Sequence, residues 1–225
     1  MKKNGFTLAE VLITLAIIGV VASLTLPALM ANTQEQQAVT GFRKAMNTLN
    51  EVAQMNAAVD GFDFGGIASV DTPSAASSAV YTANGQLNQS VWAMMASKAQ
   101  VDPSRSGSAD SVYGNGANMG SCANMTVIGF RDGTFLCYTD NVTNDNGNDV
   151  IEAVIDTNGI KAPNRISTCT TDKCLGAGKS IGDQFVITLY NANAIPGRVT
   201  VDGGSFQDTA AASSSNNAAR WAMSK

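Results

Sequence analysis

Residues 11–26 form a run without a charged side chain, and the apolar character extends over 6–29. At 1.5 Å per residue this stretch makes roughly 36 Å of helix, enough to cross a hydrocarbon core of about 30 Å. The pattern then changes. Val39, Phe42, Met46, Leu49 and Ala53 recur at alternating three- and four-residue steps, while Gln34, Glu35, Gln37, Arg43, Lys44 and Asn47 fill the other faces. That is the period of an amphipathic helix with one stripe for a core. Asp60-Gly61 supplies a stop signal. The pattern predicts one helix from about residue 6 to about residue 59, apolar all round in its first half and two-faced in its second. Pro27 lacks a backbone donor and crowds the preceding turn, so a bend or local opening is expected between Gly19 and Pro27.

Downstream, the hydrophobic pattern weakens. Gly65-Gly66 and the serines of 74–78 read as loop, 87–99 as a short helix, and the Ser/Gly/Asn-rich stretch 102–120 as a surface loop. Period-two patterning appears after that. Residues 125–130 and 134–138 flank Arg131-Asp132-Gly133, a hairpin signal, and 150–155, 184–190 and 198–201 are further strands. Residues 210–217 read as loose loop, with Trp221 docking back. A long helix followed by an antiparallel sheet is an α+β plan. The chain divides on this reading into 1–5, a leader; 6–29, a membrane helix; 30–60, an amphipathic helix; 61–121, a variable region with one short helix; and 122–225, a disulfide-linked β domain.

Composition narrows the chemistry. Only 14% of the 225 residues are charged, and the net charge is −4 with no clustered basic face. Nucleic acid is therefore not an expected partner. Histidine is absent, which removes His-based triads and metal sites and the usual general base near neutral pH. We expect no enzyme and no cofactor. Gly176-Ala177-Gly178-Lys179-Ser180 resembles the end of a phosphate-binding loop, but the pattern needs glycine where Lys173 stands. Asp156-Thr157-Asn158-Gly159 resembles the first half of a calcium loop, whose twelfth position holds Ser167 rather than Glu. Asp156 and Asn158 are thus a weak calcium candidate, set against an Asn-Gly turn between strands.

The four cysteines, Cys122, Cys137, Cys169 and Cys174, all lie in the second half and form no C-x-x-C pair. Two disulfides in an oxidising compartment are the better reading than zinc. Three connectivities are possible. The favoured one is Cys169–Cys174 with Cys122–Cys137. Thr170 to Lys173 can close a small loop, and Cys122 and Cys137 flank one hairpin, although simple symmetry about Asp132 does not place them opposite each other.

The start of the chain carries the most specific signal. Lys2 and Lys3 precede the apolar run, and no basic residue follows until Arg43. The positive-inside rule puts the start in the cytoplasm and the rest outside. A secretory signal also has a basic start and an apolar core. Here the core is long, no clean A-x-A site follows, and a carboxylate, Glu10, heads the segment. A carboxylate in a membrane helix is costly and points to a functional partner. A cut between Gly5 and Phe6 would create an amine one turn from Glu10. It would also shed two lysines that each cost roughly 2.5–3.5 kcal/mol at a helix centre.

Gly5-Phe6-Thr7-Leu8-Ala9-Glu10-Val11-Leu12-Ile13 resembles the cleavage and methylation segment of type IV prepilins and type II secretion pseudopilins. The resemblance implies cleavage after Gly5 by a prepilin peptidase, N-methylation of Phe6, and assembly through Glu10. Gly19 and Pro27 fall where the family places a glycine and a proline, implying a stretch that melts in the filament. It implies a pilin-like fold in which the long helix packs on the C-terminal sheet. The implied product is a pilin, minor pilin or pseudopilin. It would start as a single-pass precursor in the bacterial cytoplasmic membrane, C-terminus outside, and end in an extracellular or periplasmic filament. Its partners would be membrane lipid, the peptidase, the inner-membrane assembly machinery and other filament subunits. The alternative is a membrane-tethered extracytoplasmic binding module or adhesin that borrows this anchor. Replacing Gly5 by leucine is expected to leave uncut precursor in the membrane, visible as an intact mass that retains residues 1–5; normal processing of that variant would move the cut elsewhere.

Overall fold

The computed structural model describes residues 7–64, 67, 88–115, 117–139, 143–145, 148–167, 182–191, 199–200, 218–219 and 221–224. They fall into two compact units, Met1–Gln37 and Ala38–Lys225. Helix α1, Leu8–Asp60, supplies residues to both. It is helical through Gly19 and Pro27 without interruption, so the expected opening there is not a feature of this structure.

In the first unit the helix buries none of the span Leu8–Leu26 within the protein. Its leucines, isoleucines and valines lie open along the whole segment. Hydroxyls that occur there bond back to the helix itself: Thr14 to the carbonyl of Val11, Ser23 to that of Val20, and Thr25 to that of Val21. Such internal bonding leaves no side-chain hydroxyl needing water, as an apolar surrounding demands.

The second unit is a sheet with helices on it. Among the described residues seven strands, all paired antiparallel, run in the order β1-β2-β3-β5-β6-β7, with β4 also pairing β5. They are β1 Gly107–Ser108, β2 Thr126–Gly129, β3 Phe135–Tyr138, β4 Thr143–Asp145, β5 Asn148–Asp156, β6 Gln184–Asn191 and β7 Val199–Thr200. The β2–β3 hairpin turns through Arg131-Asp132-Gly133 as predicted. Gly133 takes φ +96°, and Asp132 Oδ1 accepts from the backbone N–H of Thr134 at 3.0 Å. A residue with a Cβ is strained at that φ, which is why the turn ends on glycine.

Alternation along the strands sorts two faces. Ile128, Leu136, Ile155, Phe185 and Ile187 share a core with Val39, Phe42, Met46, Leu49 and Ala53, the stripe read from the sequence. Val127, Phe135, Cys137, Val154 and Val186 make a smaller core on the other side with Ala109, Met119 and Cys122. At the centre of the larger core the ring of Phe42 stacks on Phe185 with centroids 4.5 Å apart. Gly41 lets the helix come close to the turn after β5, since a Cβ there would lie 3.1 Å from Thr157 Cβ. Helix α2, Val91–Lys98, is capped by Ser90, whose side chain accepts from Ala93 N–H. Lys98 Nζ sits 2.7 Å from Asp60 Oδ2, a largely buried pair that fastens α2 to the end of α1. Among the last residues, Ala218, Ala219, Trp221 and Ala222 are buried in the larger core, and Arg43 Nε donates to the carbonyl of Ala222 at 2.7 Å.

The stretch 102–120 departs from the expectation of a plain loop. It contains a 3-10 turn, Pro103–Arg105, the short strand β1 and helix α3, Ala109–Tyr113. These elements are too short for hydrophobic periodicity to register. They are fixed by polar caps, Asp102 accepting from Ser104 N–H and Ser108 from Ser111 N–H, and by one buried alanine, Ala109. Strands β1 and β4, at two and three residues, are likewise too short to show an alternating pattern.

Phe42→Ala is expected to destabilise the protein by about 3–5 kcal/mol, from lost transfer energy and the cavity left under Phe185. Denaturant unfolding of the detergent-solubilised chain checks this, with exposed Thr40→Ala staying within about 0.5 kcal/mol of the parent.

Candidate functional site

Two groups of polar residues stand out, one at each end of the hydrophobic scale. The first opens α1. Thr7 immediately precedes Leu8, the first helical residue. Its backbone N–H and its hydroxyl each donate to Glu10 Oε2 at 2.8 Å, and its Oγ1 accepts from Glu10 N–H at 3.3 Å. This is a reciprocal capping box: each residue satisfies a donor that the helix end would leave bare. Both Thr7 donors go to the same carboxylate oxygen, so Oε1 accepts from no described residue. The negative charge also sits at the positive end of the helix dipole. Glu10 is the one charged residue of Leu8–Leu26. Gly5 and Phe6 lie outside the described residues, as does the side chain of Pro27. Gly19 has nothing within 4 Å of where a Cβ would stand. The role of Thr7 was missed in the sequence reading, although Thr7-Leu8-Ala9-Glu10 spells the box outright.

The second group is buried under the sheet. Asp156 ends β5 and is fully buried. Its Oδ1 accepts from the backbone N–H groups of Asn158 at 3.2 Å and Gly159 at 2.8 Å. Its Oδ2 accepts from the Tyr113 hydroxyl at 2.8 Å and from Gln184 Nε2 at 3.0 Å. Gln184 is the register partner of Asp156 across β5–β6, and its amide also reaches the carbonyl of Met119 and the N–H of Ser121. Asp183 next to it accepts from the N–H groups of Asn164 and Arg165. Burial pushes the Asp156 carboxyl up to about 6, against the hydrogen bonds from Gln184 and Tyr113 that pull it down. Burial likewise raises the Tyr113 phenol, with the Asp156 charge adding to the effect.

This geometry gives Asp156 a structural role. Four protein donors already surround its oxygens and tie the turn after β5, helix α3 and β6 to one point, and Gln184 carries the link on to the 3-10 turn Gly120–Cys122. Of the weak calcium candidates, Asn158 has its Oδ1 buried without a hydrogen-bond partner. Among the described residues no three cysteine or acidic groups converge as they would around a metal. Tyr113 and Gln184 carried no sequence signal, because only the tertiary pairing brings them to Asp156.

Beside this hub lies the disulfide Cys122–Cys137, with the Tyr113 hydroxyl 3.9 Å from Cys137 Sγ. In the hairpin register Cys137 faces Val127, so Cys122 reaches it from the turn ahead of β2 rather than as a strand partner. The lack of symmetry about Asp132 is resolved in that way. Closing a loop of this length stabilises by about 3 kcal/mol in the chain-entropy account. Cys169, Cys174 and the Gly176–Ser180 stretch lie outside the described residues.

The architecture is thus α+β: an N-terminal apolar helix and a C-terminal antiparallel sheet. Residues 1–26 match the family model for the prokaryotic N-terminal methylation motif, the type IV prepilin-type cleavage and methylation segment. The match covers Gly5, Phe6, Glu10 and Gly19 and stops one residue before Pro27. That segment is the one carried by type IV pilin- and pseudopilin-type precursors, and together with the apolar helix it supports a membrane-anchored precursor. Comparison of the chain with curated proteins and with solved structures gave no match.

The Asp156 carboxyl holds its proton to higher pH in the native protein than at its ordinary value of 3.8. The native state is therefore favoured while the group is protonated, and that contribution is lost as pH rises from about 4 through about 6. Asp156→Asn removes the titration. The stability difference between parent and variant should drift in the variant's favour across that window, by on the order of 3 kcal/mol. Denaturant unfolding at a series of pH values checks this; a flat difference would contradict it.

Proposed function

We propose that this protein is a structural subunit of a type IV pilus or type II secretion-like filament. A prepilin peptidase cuts it between Gly5 and Phe6, Phe6 is N-methylated, and the subunit assembles through α1. The observation that carries this reading is the coincidence of the methylation motif with a helix whose apolar surface the protein does not bury. Covering a Val, Leu or Ile side chain is worth roughly 1.5–3 kcal/mol. Summed over Leu8–Leu26 that is tens of kcal/mol, more than the whole stability of a typical domain, about 5–15 kcal/mol. Such a helix needs lipid before assembly and other subunits after it.

The reading is structural rather than catalytic. The buried Asp156 hub is sealed by its own donors, and the motif is that of proteins that assemble. The precursor sits in the bacterial cytoplasmic membrane with its C-terminus outside, held by inner-membrane assembly machinery, and the mature chain passes to an extracellular or periplasmic filament. Two disulfides, Cys122–Cys137 and Cys169–Cys174, suit that compartment. Opening of α1 between Gly19 and Pro27 belongs to the assembled state. In this scheme the amine of Phe6, from the same or an incoming chain, pairs with the Glu10 carboxylate and sets axial register before the apolar helices pack.

Glu10→Val removes the carboxylate and eases residence in the membrane. It is expected to give a processed, folded, membrane-held subunit and few or no filaments, scored by shearing cells that lack the parent subunit. Filament yield equal to the parent would overturn the docking role of Glu10.

A further inference from the structure

The two sulfurs of Cys122–Cys137 each lie against a side chain that also bonds Asp156. Tyr113 Oη is 3.9 Å from Cys137 Sγ and donates its hydrogen to Asp156 Oδ2 at 2.8 Å. Gln184 Nε2 is 3.9 Å from Cys122 Sγ and 3.0 Å from the same Oδ2. The groups that hold the sulfurs together do not depend on the bond between them. Cys137 is fixed in β3 between β2 and β5. The turn Gly120–Cys122 is held by the Gln184 side chain, which bonds Met119 and Ser121. A reduced chain with this fold therefore keeps the contacts from Cys137 through Tyr113 to Asp156. In it the Cys137 thiol donates to Tyr113 Oη, whose own hydrogen is already committed to the carboxylate.

We propose that Tyr113 and Asp156 form a proton relay that closes this disulfide, Tyr113 taking the proton of the Cys137 thiol as it passes its own to Asp156. The oxidant is a small or protein disulfide, R–S–S–R, of the thiol–disulfide exchange class. Cys122 exchanges with it first, giving a Cys122–S–S–R mixed disulfide and one RSH. Cys122 is the entry because it ends the turn that begins at exposed Gly120, whereas Cys137 lies within β3. Cys137 then attacks the Cys122 sulfur. Its S–H proton moves to Tyr113 and the phenol proton to Asp156. The Cys122–Cys137 bond forms, the bond to R breaks, and the departing thiolate is protonated by water, while Asp156 returns its proton to solvent. Two protein thiols are oxidised and R–S–S–R is reduced to two RSH. Only a thiolate attacks, and apolar burial holds a thiol protonated, so the step needs a base at hand. Burial lifts the Asp156 carboxyl to about 6, against the hydrogen bonds from Gln184 and Tyr113, which makes it a better base than an ordinary carboxylate. Burial and the Asp156 charge keep the Tyr113 phenol from ionising, so it acts only as carrier. Asp183 faces both groups and adds to both shifts. The Arg105 guanidinium lies beyond them, 4.8 Å over the ring of Phe135, the register partner of Asp156. The relay does not depend on assembly into a filament.

The test uses the full-length chain in detergent, reduced, desalted and exposed to glutathione disulfide. Closure is followed by acid quench, alkylation and mapping of the Cys122 and Cys137 peptides. Parent, Tyr113→Phe and Asp156→Asn are compared from about pH 5 to about pH 9. Phenylalanine keeps the edge-on packing against Phe135, and asparagine keeps the shape of the carboxyl. Cooperative denaturant unfolding of each reduced variant shows that it is folded; should Asp156→Asn not fold, Tyr113→Phe, which loses only the hydroxyl, carries the test. In the parent the glutathione adduct should sit on Cys122, and its closing rate should rise as Asp156 ionises near pH 6. Both variants should close on the order of 100-fold more slowly near neutral pH, the low end of general-base catalysis. The deficit should shrink toward about pH 9, where the thiol ionises unaided. A merely structural role would slow closure by one factor at every pH, and that result would overturn the relay. An adduct on Cys137, or a folded variant that closes at the parental rate near neutral pH, would overturn it too.

Discussion

The apolar surface of Leu8–Leu26 is the constraint from which the other features follow, because the protein leaves all of it uncovered. Tens of kcal/mol of unfavourable hydration cannot be offset by a domain of ordinary stability. The segment must therefore lie in an apolar surrounding that the described residues do not supply. A carboxylate at the head of such a segment would be intolerable if bare, and Thr7 keeps one of its oxygens doubly hydrogen-bonded. Helix start, charge and membrane residence are thus set by the same two side chains.

The second unit solves a different problem, holding a sheet of short strands together. The Phe42–Phe185 stack and the stripe from Val39 to Ala53 fasten α1 to one face by burial. On the other face the hydrophobic core is smaller, and polar bonds add to it. Asp156 gathers four donors, Gln184 carries the connection to the 3-10 turn, and Cys122–Cys137 closes it covalently. Charge buried in this way costs stability as it ionises, which the disulfide and the donors offset. The exposed Lys44–Asp132 pair, at 2.8 Å, adds little, as surface ion pairs do.

What was legible in the sequence followed the length and regularity of each element. The core stripe of α1 was read residue by residue, because 3.6-residue periodicity repeats often enough to be counted. The hairpin about Asp132 was legible from its turn chemistry, and β5 and β6 from their β-branched runs. Strand β1, strand β4 and helix α3 were not, since two to five residues hold no period. Asp156 was legible only as part of an Asp-Thr-Asn-Gly turn with a weak calcium resemblance, while the tertiary fold surrounds the carboxylate with Tyr113 and Gln184 from distant positions. Thr7 is the opposite case, a local signal present in four consecutive residues and overshadowed by the carboxylate it serves.

The central claim is that this helix leaves the membrane by packing among copies in a fibre. Intact-mass analysis of material sheared from the cell surface, or of periplasmic fibres released by osmotic shock, tests it most directly. The account predicts this chain in the fibre fraction, beginning at a methylated Phe6 and extending through Trp221. Finding the chain only in the membrane fraction, or released as a soluble species that begins near Ala31, would contradict it.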